Sequence, residues 1–327
     1  MRLSDFRLSQ GIIKIVMKAS QLLKFYEQGY RDFTGVDLKG EDLSGAMLIA
    51  VNFTGANLMG VNFSKAFLTK SNFSQAALNW SNFSYAKMSE TNLEQADLTK
   101  ADLTGAFMVK SQLVESRLSG ANLSHTNLRG SNLLAANISG AKLQKVNLRQ
   151  ANLDRVNFNW ANLRQGRLTG ANLHNVSLTD VNLSQTFLID VDLSGANLTG
   201  IDLSNAKLSK ANLSHANLSH ANLSEAQLKE VDFSNANLRN ANLTDAGLKQ
   251  SNLNNADLSN ANFSQADLSY ASFKRANLNG ANLLRANLNG ADFEFAALQN
   301  TILANSQSAN SDRQNDYYQQ FKFSFGQ

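Results

Sequence analysis

The sequence predicts an all-β solenoid: square coils of twenty residues stacked into a rod, with a short helix over the first coil. Three observations predict it. A five-residue phrase repeats without a break from Arg31 to Asn305, 55 units in all. Each unit is centred on Leu, Phe, Met or Ile, from Phe33 to Leu303, and a small or β-branched residue stands two places earlier in every unit except those of Arg31 and Glu41. Finally, the 327-residue chain has no Pro, and each Pro would remove a donor from a β ladder.

The period decides the backbone. Five residues of α-helix rotate by about 500°, so the centres would wander around the whole cylinder. In a flat strand an odd period flips successive centres to opposite faces. Within one unit, though, the small residue and the centre are two apart, so a short extended segment buries both on one side. The other residues then turn the chain by about a right angle, and four units close a coil. Stacked at the usual 4.7–4.9 Å strand spacing, about 14 coils make a rod of roughly 65 Å. Gly, as in LTGANL, suits corners that need permissive dihedrals, and the Ser after many centres suits a turn.

The phrase A-[DN]-[LF]-[ST]-x, as in ANLSHANLSHANLSEAQL from Ala211 to Leu228, resembles the pentapeptide-repeat family. The resemblance covers Arg31 to Asn305 and implies a right-handed quadrilateral β-helix. The stretch LLKFYEQGYRDFTG is similar to the segment that precedes the first coil in cyanobacterial members. Three regions follow: an N-terminal helical cap over 1–30, the β-helix over 31–305, and a tail over 306–327.

Before the repeat, SQLLKFYEQG reads as a helix with Ser20 as N-cap and Gly29 just past its end. Leu22, Leu23, Phe25 and Tyr26 then cover the first coil, as an open β-helix end requires. The preceding GIIKIVMKAS either extends that helix or, through Lys14, Lys18 and Lys24, touches an acidic membrane surface. Its apolar stretch is short, broken by Lys14 and followed by no small-residue cleavage site, so no leader is expected. In the tail, Phe321, Phe323 and Phe325 alternate as in a strand. That segment folds back over the last coil, pairs with another copy so that the chain dimerises through an end of the rod, or stays disordered. Phe33, Phe53, Phe73, Phe233, Phe273 and Phe293 fall on one side of the rod, and Phe63, Phe83 and Phe263 on the opposite one. They read as core.

Nothing points to catalysis, and the reading is of a chain that is not an enzyme and takes no cofactor. No Cys is present, which excludes disulfides and thiolate metal sites and fits a cytoplasmic protein. His125, His174, His215 and His220 are spread over corners without the convergent partners a zinc site needs. Asp and Asn before the centres are repeat chemistry rather than acid–base pairs.

Function is expected where exposed positions depart from the phrase. The residue before the centre is Asn or Asp on most of the rod. On the side centred at Leu48, Leu68, Met88 and onward the pattern breaks: it runs Met47, Phe67, Lys87, Phe107, Asn127, Asn147, Arg167, Phe187, Lys207, Gln227, Gly247. Just after those centres come Ile49, Val109, Arg129, Arg149 and Ile189, with Lys70, Lys110 and Lys210 at the adjoining corner. The acidic interruptions are Glu90, Asp190, Glu230 and Asp267. This apolar and basic stripe is the candidate protein-binding face. Trp80 and Trp160, four coils apart on one corner, are a secondary candidate.

Three functions compete. The first is a rigid protein-binding scaffold, suited to a solenoid's flat sides. The second, implied by the family resemblance, is DNA mimicry of the gyrase-interacting kind. Between Arg31 and Asn305 there are 23 of the 30 Lys and Arg but also 22 of the 26 Asp and Glu, so the rod is near neutral and a poor polyanion mimic. The third is peripheral binding to nucleic acid or an anionic membrane, disfavoured by the small formal net charge of +4 and by basic residues mixed with Phe. No small-molecule substrate is implied.

Overall fold

The computed structural model describes residues 15–303. Its one described α-helix is α1, Ala19–Glu27. From Arg31 onward, isolated parallel bridges join each residue before a centre to the residue twenty places later, as in Asp32↔Asn52↔Asn72. Four such ladders run along the rod, named here by their first centres: the Phe33, Leu38, Leu43 and Leu48 sides. Each side of a coil is too short for more than one bridge, yet three backbone bonds tie it to the next coil. On the first, Phe33 N–H donates to Asn52 O (2.7 Å), Gly35 N–H to Thr54 O (2.9 Å), and Asn52 N–H back to Arg31 O (2.7 Å).

At nearly every corner the residue after the turn donates to the centre, as Val36 N–H does to Phe33 O at 3.2 Å. The residue before it has positive φ at every fifth position from Gly35 to Asn300. Positive φ at the third residue of such a turn is the type II pattern. Forty of these corners are not Gly, and none is Val, Ile or Thr, the residues for which this conformation is a true outlier. Bonds to the adjoining coils hold the corner in place.

The residue before the centre does more than face water. Asn52 Oδ1 accepts from the N–H of Thr54 (3.1 Å), and its amide donates to Asp32 Oδ1 one coil earlier (3.2 Å). The side chain thus closes its own turn and ties it to the preceding coil. Inside, the centres and their Ala partners form one continuous core. The Phe rings stack through it, with Phe63–Phe83 centroids at 5.0 Å and Phe273–Phe293 at 4.8 Å. Where Ser or Thr replaces Ala, the hydroxyl commonly finds a carbonyl: Ser71 donates to Leu48 O, Ser111 to Met88 O and Ser131 to Met108 O, whereas the buried Ser251 hydroxyl has no partner among the described residues.

The cap differs from expectation in two details. The helix begins one turn of phrase earlier, with Lys18 as N-cap in place of Ser20; the Lys18 N–H donates to Gln21 Oε1 at 2.8 Å. Ile15–Met17 do not extend the helix. They lie extended along the first coil, Met17 N–H donating to Asp37 O and Asp37 N–H to Ile15 O, both at 2.9 Å. That strand-like segment satisfies an edge a longer helix would leave open. At the other end, Gly29 (φ 93°) terminates α1: Tyr30 N–H donates to Phe25 O and Gly29 N–H to Tyr26 O, the double bond pattern of a Schellman motif. Leu22 is fully buried, and Leu23, Phe25 and Tyr26 pack on the core beside it.

The two units that break the small-residue rule belong to this cap. Glu41 accepts from Lys18 Nζ (2.8 Å) and from the N–H of Ala19 (2.9 Å), latching the start of α1. Arg31 donates to the carbonyls of Tyr26 and Tyr30 and lies 3.7 Å from the Tyr26 ring centroid. Lys18 is therefore committed to the fold. Lys14 and the Phe321, Phe323 and Phe325 tail lie outside the described residues.

One junction breaks the regularity. Between residues 171–180 and 191–200 the Phe33 and Leu38 sides lack their rungs, Asn172↔Asp192 and Ser177↔Asn197, while Asn182↔Asp202 and Phe187↔Lys207 hold the other two sides.

Candidate protein-binding face

The Leu48 ladder brings the predicted stripe together as one column: Met47↔Phe67↔Lys87↔Phe107 near the cap, and Arg167↔Phe187↔Lys207 further on. Strand geometry forces this, because residues twenty apart sit directly over one another. From Met47 to Lys207 the column spans eight coil rises, roughly 38 Å at the usual strand spacing. Met47 is 60 % exposed, Phe67 42 % and Phe107 41 %. Phe187, Ile189 and Val109 are only half-buried, and Arg129, Arg149 and Arg167 are exposed. Ile49 is exposed at its side chain, while its backbone is tied to the cap: its N–H donates to the Tyr26 hydroxyl at 3.1 Å.

Cations interleave with the rings. Lys87 Nζ lies 5.8 Å from the Phe107 centroid, and Phe187 is sandwiched by Arg167 (5.8 Å) and Lys207 (4.9 Å). At exposed sites such contacts contribute about 0.5–1 kcal/mol each. They flatten the rings against their neighbours, which makes the face smooth. Two of the four acidic interruptions are paired with lysines. Glu90 lies 4.0 Å from Lys70, and Glu230 is 3.0 Å from Lys229 and 3.9 Å from Lys210. The hydrogen bond from Lys229, then its charge, holds the Glu230 carboxyl below the usual glutamate range. Arg129, Arg149 and Arg167 have no carboxylate partner among the described residues, so the positive charge of the face concentrates at its middle.

Trp80 and Trp160 do not join this face. Both are exposed at corners with positive φ, between the Leu38 and Leu43 sides. Four coils separate them, and Lys100, Gly120 and Gly140 occupy the corner between. Tyr85 and Tyr270, which the sequence reading passed over, border the stripe instead. Each ring lies over the Gly one coil on: a Cβ at Gly105 would stand 2.7 Å from Tyr85, and one at Gly290 would stand 2.7 Å from Tyr270. The readable signal was a Tyr followed by Gly twenty residues later. Among the described residues no cluster of side chains is able to hold a metal ion, and no helix is long and apolar enough to cross a membrane.

Comparison with known proteins agrees with this geometry. The family described as pentapeptide repeats matches in eight copies within residues 96–305, and the pentapeptide repeat region matches residues 32–103. The chain belongs to the pentapeptide-repeat family. Pentapeptide-repeat proteins form right-handed quadrilateral β-helices and are generally structural or binding scaffolds. Among solved members, the chain is 27% identical to HetL, a protein involved in heterocyst differentiation regulation from the cyanobacterium Nostoc, over 87% of this chain and 98% of HetL, with a TM-score of 0.35. Rfr23 from the cyanobacterium Cyanothece is also 27% identical, over 44% of this chain and 85% of its own, with a TM-score of 0.23. QnrB1, a plasmid-mediated fluoroquinolone resistance protein, is 20% identical over 72% of this chain and 98% of its own, with a TM-score of 0.29. No curated protein matches the chain.

Proposed function

We propose that this pentapeptide-repeat protein is a non-enzymatic cytoplasmic scaffold that binds a protein partner along its Leu48 side. One observation carries the reading. Three ladders are built mostly of Asn and Asp, whereas the fourth presents Met47, Phe67, Phe107 and Phe187 interleaved with Lys87, Arg167 and Lys207. A row of rings with cations at its centre favours a partner that offers apolar side chains flanked by carboxylates. Ring and Arg anchors carry most of the binding energy in such contacts. The near-neutral rod does not favour a role as a polyanion mimic, nor one on anionic surfaces.

The test compares tagged wild type with a Phe67→Asp/Phe107→Asp/Phe187→Asp variant in native pull-downs read by mass spectrometry, with circular dichroism to confirm that both are folded. The expected result is a partner retained by wild type and lost by the folded variant. Identical partner sets would remove the face from consideration and direct attention to the Trp80–Trp160 corner.

A further inference from the structure

We infer that the rod carries a built-in hinge between residues 171–180 and 191–200, at which it opens along two sides and bends toward the other two. The backbone bonds show where. Elsewhere in the rod each coil is tied to the next on all four sides. Here the N–H groups of Leu173 and Leu178 find no carbonyl on the following coil among the described residues, and those of Asp192, Asn197 and Asp202 find none on the preceding one. The corner bonds of Val176, Val181 and Val191 to their centres are absent as well. Coil 171–180 stays paired to the coil before it and coil 191–200 to the coil after it, as in Leu153 N–H to Asn172 O and Leu193 N–H to Asn212 O, both 2.8 Å. The break is therefore a sharp junction between two ladders that are intact on either side. Leu173 and Leu178 are slightly exposed there, and Val176 and Ala196 become half-buried.

The inward small position supplies the cause. Vertical neighbours in this position are twenty residues apart, and a Val or Ile there faces Ala, Ser or Gly in the next coil throughout the rod, with two exceptions. Val156 stacks on Val176, and Val181 on Ile201; both of these rungs stay bridged, as Asn157↔Ser177 and Asn182↔Asp202, and the two that open lie beside them. Extra methyl groups in a packed interior force backbone shifts, and here the softest response is to part the coils. Charge adds to it. Asp180, Asp190, Asp192 and Asp202 surround the junction, and no Lys or Arg stands between residues 168 and 206. None of the four stacks directly on another, so their effect is the diffuse repulsion of like charges.

The intact rungs set the direction of motion. Asn182↔Asp202 and Phe187↔Lys207 hold the Leu43 and Leu48 sides, so opening at the corner between the Phe33 and Leu38 sides makes the Leu48 side concave. The hinge thus lies directly behind Phe187 and its two cations. It rests on the backbone alone and stands whatever that face binds.

The test uses the absence of Cys from the full chain. Spin labels on Gln75→Cys and Asn255→Cys, both on the opening corner, span nine coil rises, roughly 43 Å. Labels on Gln75→Cys and Arg155→Cys span four, roughly 19 Å, within the first segment only. Double electron–electron resonance is expected to give a distribution for the spanning pair at least about twice as broad as for the control. A Val176→Ala/Ile201→Ala variant should narrow it to the control width; Val156→Ala/Val181→Ala relieves the same two stacks from the other coil and serves if the first does not fold. In parallel, hydrogen exchange of the Leu173, Leu178, Asp192 and Asn197 amides should be about ten-fold or more faster than at Leu213, Leu218, Asp232 and Asn237. A spanning distribution as narrow as the control, uniform exchange along the rod, or a broad distribution untouched by either repair would each overturn the hinge.

Discussion

Residues 171–202 and 206–237 share one fold and one repeat, and they behave differently. In the second stretch the inward small position is Ala at six of seven places, the exception being Val231, which stacks on Ala211, and its coils pair on all four sides, as in Leu213 to Asp232 at 2.7 Å and Leu218 to Asn237 at 2.7 Å. In the first stretch five of the seven such positions are β-branched, Val176, Val181, Thr186, Val191 and Ile201, with Ala171 and Ala196 the others, and two sides come unpaired. The centres are Leu in both. Pairing between coils is therefore governed less by the large residues than by the small ones, because only the small column sets how closely two coils approach.

The largest expected effect sharpens that contrast. Leu218→Ala should lower stability by about 2–5 kcal/mol, since its site is tied on all sides and collapses poorly. Leu178→Ala, at the same position two coils earlier, should fall at or below the lower end of that range. Leu178 is 8 % exposed where Leu218 is 0 %. Urea midpoints of the two variants decide it, and equal losses would show that the open junction packs as well as the closed one. Next, Ala216→Val/Ala236→Val builds a stacked pair where none exists. It should cost about 1–3 kcal/mol and give fast exchange at the Asn217 and Asn237 amides. Unchanged exchange there would dissociate stacking from the loss of rungs.

Corners come third. His215 holds φ 59°, and His215→Val places a β-branched residue in a conformation that costs about 1–2 kcal/mol. His215→Gly should be neutral or stabilising by comparison, so the order of the two thermal midpoints is the readout. The smallest effect concerns the cap latch. The hydrogen bond from Lys18, then that from the Ala19 N–H, holds the Glu41 carboxyl below its usual range; the same hydrogen bond, then the carboxylate charge, holds Lys18 above its own. A depressed carboxylate stabilises above its unfolded value and loses that contribution as pH falls through its folded one. A raised Lys keeps its contribution at lower pH and loses it as pH rises through its folded value. The latch is thus strongest across the neutral range. The midpoint difference between wild type and Glu41→Gln should peak there and vanish in acid; a difference independent of pH would place the role of Glu41 in shape rather than charge.

Much of this was legible before any coordinates. The five-residue period, with Leu38 and Val36 two apart, dictates the inward face; the Asn and Ser around each centre dictate the turn; and SQLLKFYEQG announces a helix ending at Gly29. The Leu48 column was legible for the same reason, since a period of twenty assigns every residue to a side. What the sequence reading missed depends on contacts between positions far apart in the chain. Arg31 and Glu41 looked like lapses in the repeat until Tyr26 and Lys18 were placed beside them. Lys18 displaced Ser20 as N-cap because Gln21 and Glu41 together hold that end of α1. The half-buried state of Phe187 follows from two cations lying over it, which no single unit reveals. The stacked pairs Val156/Val176 and Val181/Ile201 were visible as letters, but their meaning depends on how little room the small column leaves.

The twenty-residue register also bears on how such a gene can change. Losing or gaining one whole coil shortens or lengthens the rod and leaves Phe67, Phe107 and Phe187 on a common side. Losing a single five-residue unit preserves every local rule, core and corner alike, yet carries everything downstream through a quarter turn. The molecule would still fold, with its row of rings broken and continued on a different side. Replication slippage can therefore redraw the surface of this protein in one event, while inside only the vertical pairs across the cut are exchanged.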